Sequence, residues 1–463
     1  MNDKDDVNPI GASARTAASA SEQPPAPSAR YVSKLQKQFD SLVEEKPNPA
    51  SRGFFGGVPN RKSEADEALI THVTQTILRE AMASRSSDIH LEPMGSHLRV
   101  RFRIDGILEE VLTIPNALNL FLVSHIRVMC GLDPEKGGIA RPQDARMAVT
   151  VEGQEADVRL STFPTPHGDK AVLRLLPRNV KPPGIEELGL RPVHVEILRQ
   201  LIKRPQGMII ITGPTSSGKS TTLYTMLQAL NAVSRNIVTL EDPIEMKIPG
   251  VTQGAIQSQI GFNFADGLRA ILRQDPNVIM VGEARDGETA EIALKAALTG
   301  HLIFTTLHTN NALGAIARLL DMGIEPFLIT SAVTAVCAQR LARRVCDKCR
   351  ETYRPGEDEL ALLGAVAQRI GVAVEPGFFK ELSRGKGCES CRYTGFKGRI
   401  LLFETAHVTK EMKALILRKA GLDEMTKEAV GGGMETLLYD GLQKVNSGET
   451  TLDEVIRVAG AGN

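Results

Sequence analysis

The chain has no tryptophan, and aromatic residues make up only 4% of it. It has no excess of either charge: Lys+Arg and Asp+Glu both number 55. Nothing global therefore points to nucleic acid or an anionic surface as a partner. No apolar run approaches the ~20 residues that a membrane-spanning helix needs. The opening residues, Met1-Asn2-Asp3-Lys4-Asp5-Asp6, are acidic and polar and do not read as a signal peptide. The expectation is a soluble intracellular chain whose membrane contact, if any, is peripheral and made through a partner. Cysteine is sparse, at six residues. Cys130 and Cys337 stand alone in apolar surroundings and read as buried, inert thiols.

The feature that carries most chemistry is Gly213-Pro214-Thr215-Ser216-Ser217-Gly218-Lys219-Ser220, which fits G-x-x-x-x-G-K-[ST]. The apolar run Met208-Ile209-Ile210-Ile211 precedes it, and Thr221-Thr222-Leu223-Tyr224-Thr225-Met226-Leu227 follows with helical character. Strand, glycine loop and helix aim backbone N–H groups and a helix N-terminus at phosphate. Lys219 is placed to reach the β- and γ-phosphates of ATP, and the Ser220 hydroxyl to hold Mg²⁺.

The 463 residues suggest about two to four domains. Residues 1–30, rich in Ala, Ser, Pro and Gln, lack apolar periodicity and cannot bury enough surface to fold alone. Within the 1–63 leader, residues 31–45 carry apolar positions at helical spacing. They read either as a docking helix for a partner or as a helix resting on its own protein. Residues 47–63 read as a linker. Residues 64–178 mix a long helix with alternating strands, an α+β domain. After a linker at 179–187, residues 188–463 alternate apolar strands (208–212, 236–240, 277–281, 302–306) with helices, an α/β pattern with a parallel sheet. A cysteine-bearing segment, 345–400, interrupts it, and helices dominate from there to the end.

A phosphate loop needs acidic partners. Glu241-Asp242-Pro243-Ile244-Glu245 follows one apolar strand, and Gly282-Glu283 follows another. Gly282 occupies the place where an Asp is usual, so Glu283 is the best candidate to orient water, with Glu241 as a further acid. His308, Thr309 and Asn310 follow a third strand. His308 is placed to sense the γ-phosphate or to bridge to a neighbouring subunit, with a satisfied structural histidine as the rival reading. Among the arginines, sequence alone nominates none. The pairs Cys346-x₂-Cys349 and Cys388-x₂-Cys391 favour a closed tetrahedral Zn²⁺ site, with two redox dithiols as the rival reading.

In this order the motifs resemble the secretion ATPases that power type II secretion and type IV pilus assembly, over about Ala65 to Val458. Ser87-Asp88-Ile89-His90-Leu91-Glu92-Pro93, Arg101 to Gly106 and Asp157 to Leu176 match the family's N-terminal motor domain. Glu241-Asp242-Pro243 resembles its Asp box, Gly282-Glu283 its divergent Walker B, and Gly300 to Asn310 its His box. The resemblance implies a PAS-like domain followed by a RecA-like P-loop ATPase domain with a zinc-binding insertion and C-terminal helices. It implies a homohexamer, cytoplasmic and peripheral at the inner membrane, working with a platform protein and a membrane adaptor. Nucleic acid is not an expected partner. Arg159 and Arg174 match arginines that reach the nucleotide from the first domain. The nucleotide contacts would run from Gly213, Pro214, Thr215, Ser216, Ser217 and Gly218 through Lys219, Ser220 and Thr221. The family usually carries Gly where Ser216 stands. Alternatives are a pilus-retraction or conjugation-type ATPase, whose members generally lack the cysteines, a RecA-like DNA motor, and a non-hydrolysing nucleotide-gated scaffold.

Overall fold

A computed structural model describes residues 32, 36, 37, 39–41, 64–132, 141–178, 181–369 and 378–460. The polar stretch 1–30, the 47–63 linker and most of the 31–45 segment lie outside the described residues. Where that segment is described it is helical, and it rests on its own protein. Phe39 is buried, and the Gln36 amide both donates to Thr113 O (2.9 Å) and accepts from Thr113 N (3.0 Å).

The chain divides into two compact units. The first comprises Met1–Ala145, Leu160–Leu173 and Cys388–Thr394. The second comprises Arg146–Arg159, Arg174–Gly387 and Gly395–Asn463. The division runs through the strands of a six-stranded sheet built from β1 (Ser86–Pro93), β2 (His97–Ile104), β3 (Ile107–Pro115), β4 (Gln143–Val151), β5 (Gln154–Thr165) and β6 (Gly168–Pro177), in the order β3-β2-β1-β6-β5-β4. In the first unit, helix α1 (Glu64–Ala83) packs on α2 (Asn119–Met129) and on β1. Leu69, Ile70, Val73, Ile77, Leu78 and Ala81 of α1 are buried, the i, i+3, i+4 stripe of an amphipathic helix. Strand β2 alternates buried Leu98, Val100, Phe102 and Ile104 with Arg99, Arg101 and Arg103. Arg99, Arg101 and Lys170 gather on the buried Glu92 carboxylate; burial would raise it, but Arg101 and Lys170 hold it down at about 2.

The second unit is organised by a seven-stranded sheet in the order β15-β12-β7-β11-β10-β8-β9. Its strands are β7 (Gly207–Thr212), β8 (Ile237–Glu241), β9 (Thr252–Ala255), β10 (Val278–Val281), β11 (Leu302–Leu307), β12 (Val333–Val345) and β15 (Phe396–His407). All neighbouring pairs are parallel except β12 with β15. Every residue of β7, β8, β10 and β11 is buried, which is why these strands read as continuous apolar runs. Successive side chains point to opposite faces. Met208 and Ile210 join one core with α5 (Phe264–Ile271), α6 (Gly287–Leu298) and α7 (Ala312–Asp321). Ile209 and Ile211 join the other with α3 (Pro192–Ile202) and α4 (Lys219–Leu230). Burying each such side chain stabilises by roughly 1.5–3 kcal/mol.

The sheet extends further than the sequence suggests. Helix α8 (Pro326–Ala332) runs directly into β12, and after the cysteine segment the chain returns as β15 before α10 (Lys410–Leu417), α11 (Leu422–Gly431), α12 (Leu437–Asn446) and α13 (Leu452–Ala459). Helices dominate after residue 407, and the return of β15 to the sheet is the part that the sequence did not show. Both faces of β15 are apolar and complete the two cores, with Leu402 and Ala406 on one side and Leu401 and Phe403 on the other. Among the described residues, no helix is long and apolar enough to cross a membrane.

Candidate active site

The loop between β7 and α4 closes on itself tightly. Gly213 has φ +151° and Gly218 φ +91°. A Cβ on Gly213 would meet Gln339 O and Ser217 Oγ, each at 2.6 Å, so the first glycine is needed for close approach as well as for its dihedral. Gly218 begins α4 without any side-chain cap, whereas α5, α6 and α7 are capped by Asn263, Asp286 and Asn311. The first-turn N–H groups of α4 thus remain for an anion. Ser216 takes φ +63°, a left-handed conformation that costs an L-residue roughly 1–2 kcal/mol. A Gly there, which the resemblance leads one to expect, would avoid that cost.

The loop opens onto a cleft of ≈ 200 Å³ at the carboxyl ends of the parallel strands. Thr215, Ser216, Lys219 and Ser220 line it from one side, Glu241, Asp242, Glu245, Glu283 and His308 from the others. Gly213, Pro214, Ser217 and Gly218 form the loop behind it. Thr221 is exposed and does not line it. The Lys219 ammonium is buried and donates to Gly213 O (2.8 Å) and Pro214 O (3.0 Å). Burial is the main cause that lowers it to about 8, with Glu283 raising it and Arg340 lowering it further.

Glu283 leaves the end of β10 one residue later than usual because of Gly282. A Cβ there would meet Leu240 O at 3.2 Å and Glu241 Cα at 3.5 Å, so an Asp would press on β8. Glu283 pairs with Arg285, and His308 Nε2 lies 3.4 Å from its other oxygen. Burial pushes the carboxyl up, but Arg285 and His308 more than offset this, and it stays below the usual carboxylate range. Glu241 is differently placed: buried, it accepts from Tyr224 Oη, Thr239 Oγ1 and Gln253 Nε2. Its oxygens are engaged in holding β8, α4 and β9 together.

Arg159 and Arg174 do not line the cleft. Both fall in the second unit, where Arg159 is half-buried and feels Arg146, Glu245 and Arg174. Burial is the main cause lowering its guanidinium, and among these three only Glu245, which lines the cleft, acts to raise it. Of the other arginines, Arg269 pairs with Glu288, Arg285 with Glu283, and Arg318 is exposed.

Sequence reasoning missed Gln339 and Arg340. Neither belongs to a local motif, and both reach the loop only through the pairing of β12 with β7.

The cysteines converge. The Sγ atoms of Cys346, Cys349, Cys388 and Cys391 all lie within 4.8 Å of one another, with Cys388 and Cys391 3.8 Å apart. Tetrahedral Zn–S bonds of about 2.3 Å place sulfurs about 3.8 Å apart, so the set fits zinc. The antiparallel ribbon of β13 (Arg350–Tyr353) and β14 (Leu382–Gly385) explains the long spacing. It pairs Arg350 with Gly385, and α9 (Glu357–Arg369) falls between the two strands in sequence.

Comparison with known proteins agrees with this geometry. The family described as "Type II/IV secretion system protein" matches residues 63–457. Type II secretion system protein E of Pseudomonas aeruginosa is 45% identical over 395 residues, covering 85% of this chain and 76% of that protein. The type IV pilus assembly ATPase PilB of Myxococcus xanthus is 42% identical over 397 residues, covering 85% and 68%. The solved structure of the pilus retraction motor PilT with bound ADP superposes with a TM-score of 0.54 at 27% identity, covering 83% of this chain and 96% of that one. With a family match across most of its length and relatives above 40% identity, the chain belongs to the type II/IV secretion system protein family.

Proposed function

We propose that the chain is an ATPase that powers a type II secretion or type IV pilus assembly machine. The observation that carries the reading is the single cleft in which Lys219, Ser220, Glu283 and His308 meet at the carboxyl ends of β7, β10 and β11. The uncapped N-terminus of α4 and the phosphate loop bind the triphosphate. Lys219 exchanges the Gly213 and Pro214 carbonyls for phosphate oxygens. Ser220 would hold Mg²⁺, which would neutralise charge on the phosphates. Glu283, ionised at neutral pH, orients the attacking water, and His308 registers that carboxylate against the end of β11.

In the same reading the first domain is PAS-like and the second RecA-like, six chains form a ring, and Arg159 and Arg174 supply cations to the phosphates. The cysteines hold a structural zinc. The motor acts at the cytoplasmic face of the inner membrane through a platform protein and an adaptor, without nucleic acid. The tetracysteine cluster favours assembly over the retraction or conjugation reading. Intact Lys219, Ser220 and Glu283 argue against a non-hydrolysing scaffold.

The test is turnover. Glu283→Gln is expected to lower ATP hydrolysis by about 10²–10⁴-fold while ADP binding persists. A wild-type chain that hydrolyses ATP no faster than this variant ends the motor reading.

A further inference from the structure

Strand β12 overshoots β7. Their parallel register runs from Val333↔Met208 to Ala338↔Thr212. Gln339 and Arg340 therefore continue past the point where β7 turns into the phosphate loop. Gln339 is fully buried and its Nε2 donates to Ser217 O at 2.8 Å. Its backbone carbonyl is the atom that a Cβ on Gly213 would strike, and its amide nitrogen faces Gly218 at 3.1 Å from the corresponding position. Arg340 uses one guanidinium to bridge two carbonyls: Nη1 donates to Gln339 O (3.1 Å) and Nη2 to Asn310 O (2.6 Å). Behind them the buried Glu404 of β15 accepts from Ala312 N (2.7 Å) and Leu437 N (2.9 Å), closing the end of the Asn310 loop.

We infer that Gln339 and Arg340 are positioning residues of the phosphate site, with distinct roles; the inference deepens the ATPase reading and rests on it. A trans peptide points its C=O and the next N–H in opposite directions. By holding the Ser217 carbonyl, Gln339 turns the Gly218 N–H away from β12 and into the loop, where it serves phosphate. Arg340 couples the wall of the phosphate loop to the loop that follows β11. It thereby keeps His308 in register with Glu283. A planar fork fixes the separation of its two acceptors, which an ammonium cannot do.

The two roles separate in binding and turnover. Gln339→Met retains length and apolar volume but donates nothing. It is expected to weaken binding of fluorescently labelled ADP about tenfold, with kcat at saturating ATP within about threefold of wild type. Arg340→Lys retains the charge and is expected to lower kcat about tenfold or more, with ADP affinity within about threefold. Melting temperature is followed in each. Should Gln339→Met fall by more than about 5 °C, Gln339→Leu, which likewise has no donor, replaces it with the same expected loss of ADP. Wild-type ADP affinity and wild-type turnover in these variants overturn the inference. So does a parallel fall of affinity, kcat and melting temperature in both, which marks a merely structural role. Because ADP affinity is read without turnover, failure of the ATPase reading is seen separately, in wild type against Glu283→Gln.

Discussion

The ammonium of Lys219 must be charged to hold phosphate, yet burial draws it down to about 8 in the free chain. Below that pH it meets the nucleotide already protonated. Above it, binding must take a proton from solution, so ADP affinity falls as pH rises, by up to about tenfold per unit. Titrating ADP affinity between about pH 6.5 and 9.5 checks this; a flat profile contradicts it. Ser216 shows the opposite kind of legibility. Its identity is a sequence fact, but its φ of +63° is known only once the loop is folded. Glu283 and the Gly282 before it were readable as a pair, because an apolar strand followed by an acid has a local signature. Why the acid sits one residue late was not readable: the pressure comes from the backbone of β8, about 40 residues away in sequence, at Leu240 and Glu241.

Among the elements, β7, β8, β10 and β11 were legible as apolar runs because burial on both faces leaves no polar alternation. Strands β12 and β15 were not. β12 carries Gln339, Arg340 and Arg343, all buried, which breaks the apolar signal. Each takes a partner from another element: Gln339 donates to Ser217 O, Arg340 to Asn310 O, and Arg343 pairs with Glu454 of α13 at 3.0 Å and lies over the Phe396 ring. The ribbon of β13 and β14 is held at its open end by the cysteines. Within the second knuckle, Cys388 O accepts from Cys391 N (3.1 Å) and Tyr393 N (2.8 Å), and Cys388 N donates to Cys391 Sγ at 3.2 Å, so its turn is formed within the knuckle itself. Metal analysis of purified, reduced protein is expected to find about one zinc per chain, and Cys391→Ser to lose it and lower the melting temperature. Zinc well below one per chain excludes the site.

At the scale of the whole molecule, large apolar side chains remain exposed on both units. Leu120, Phe121, Val128 and Met129 stand out on α2, and Ile260 and Phe327 on the second unit. Exposed apolar residues of this size suit contacts between copies of the chain. If six chains assemble, sedimentation will show a six-chain species, and ATP turnover per chain will drop on dilution below the assembly concentration. Turnover that is independent of concentration in a monomer would refute the ring. The sequence alone determined the phosphate loop, the strand-end acid Glu283, the cysteine pairs and the parallel, buried strands, because each is written within a dozen or so residues by spacing or unbroken apolarity. Tertiary structure alone decided that Gln339 and Arg340 stand behind the loop, that Glu241 is locked by Tyr224 and Gln253, and that β15 returns to the main sheet. These depend on strand register between segments far apart in sequence, and no local pattern encodes a pairing that only burial and backbone hydrogen bonding select.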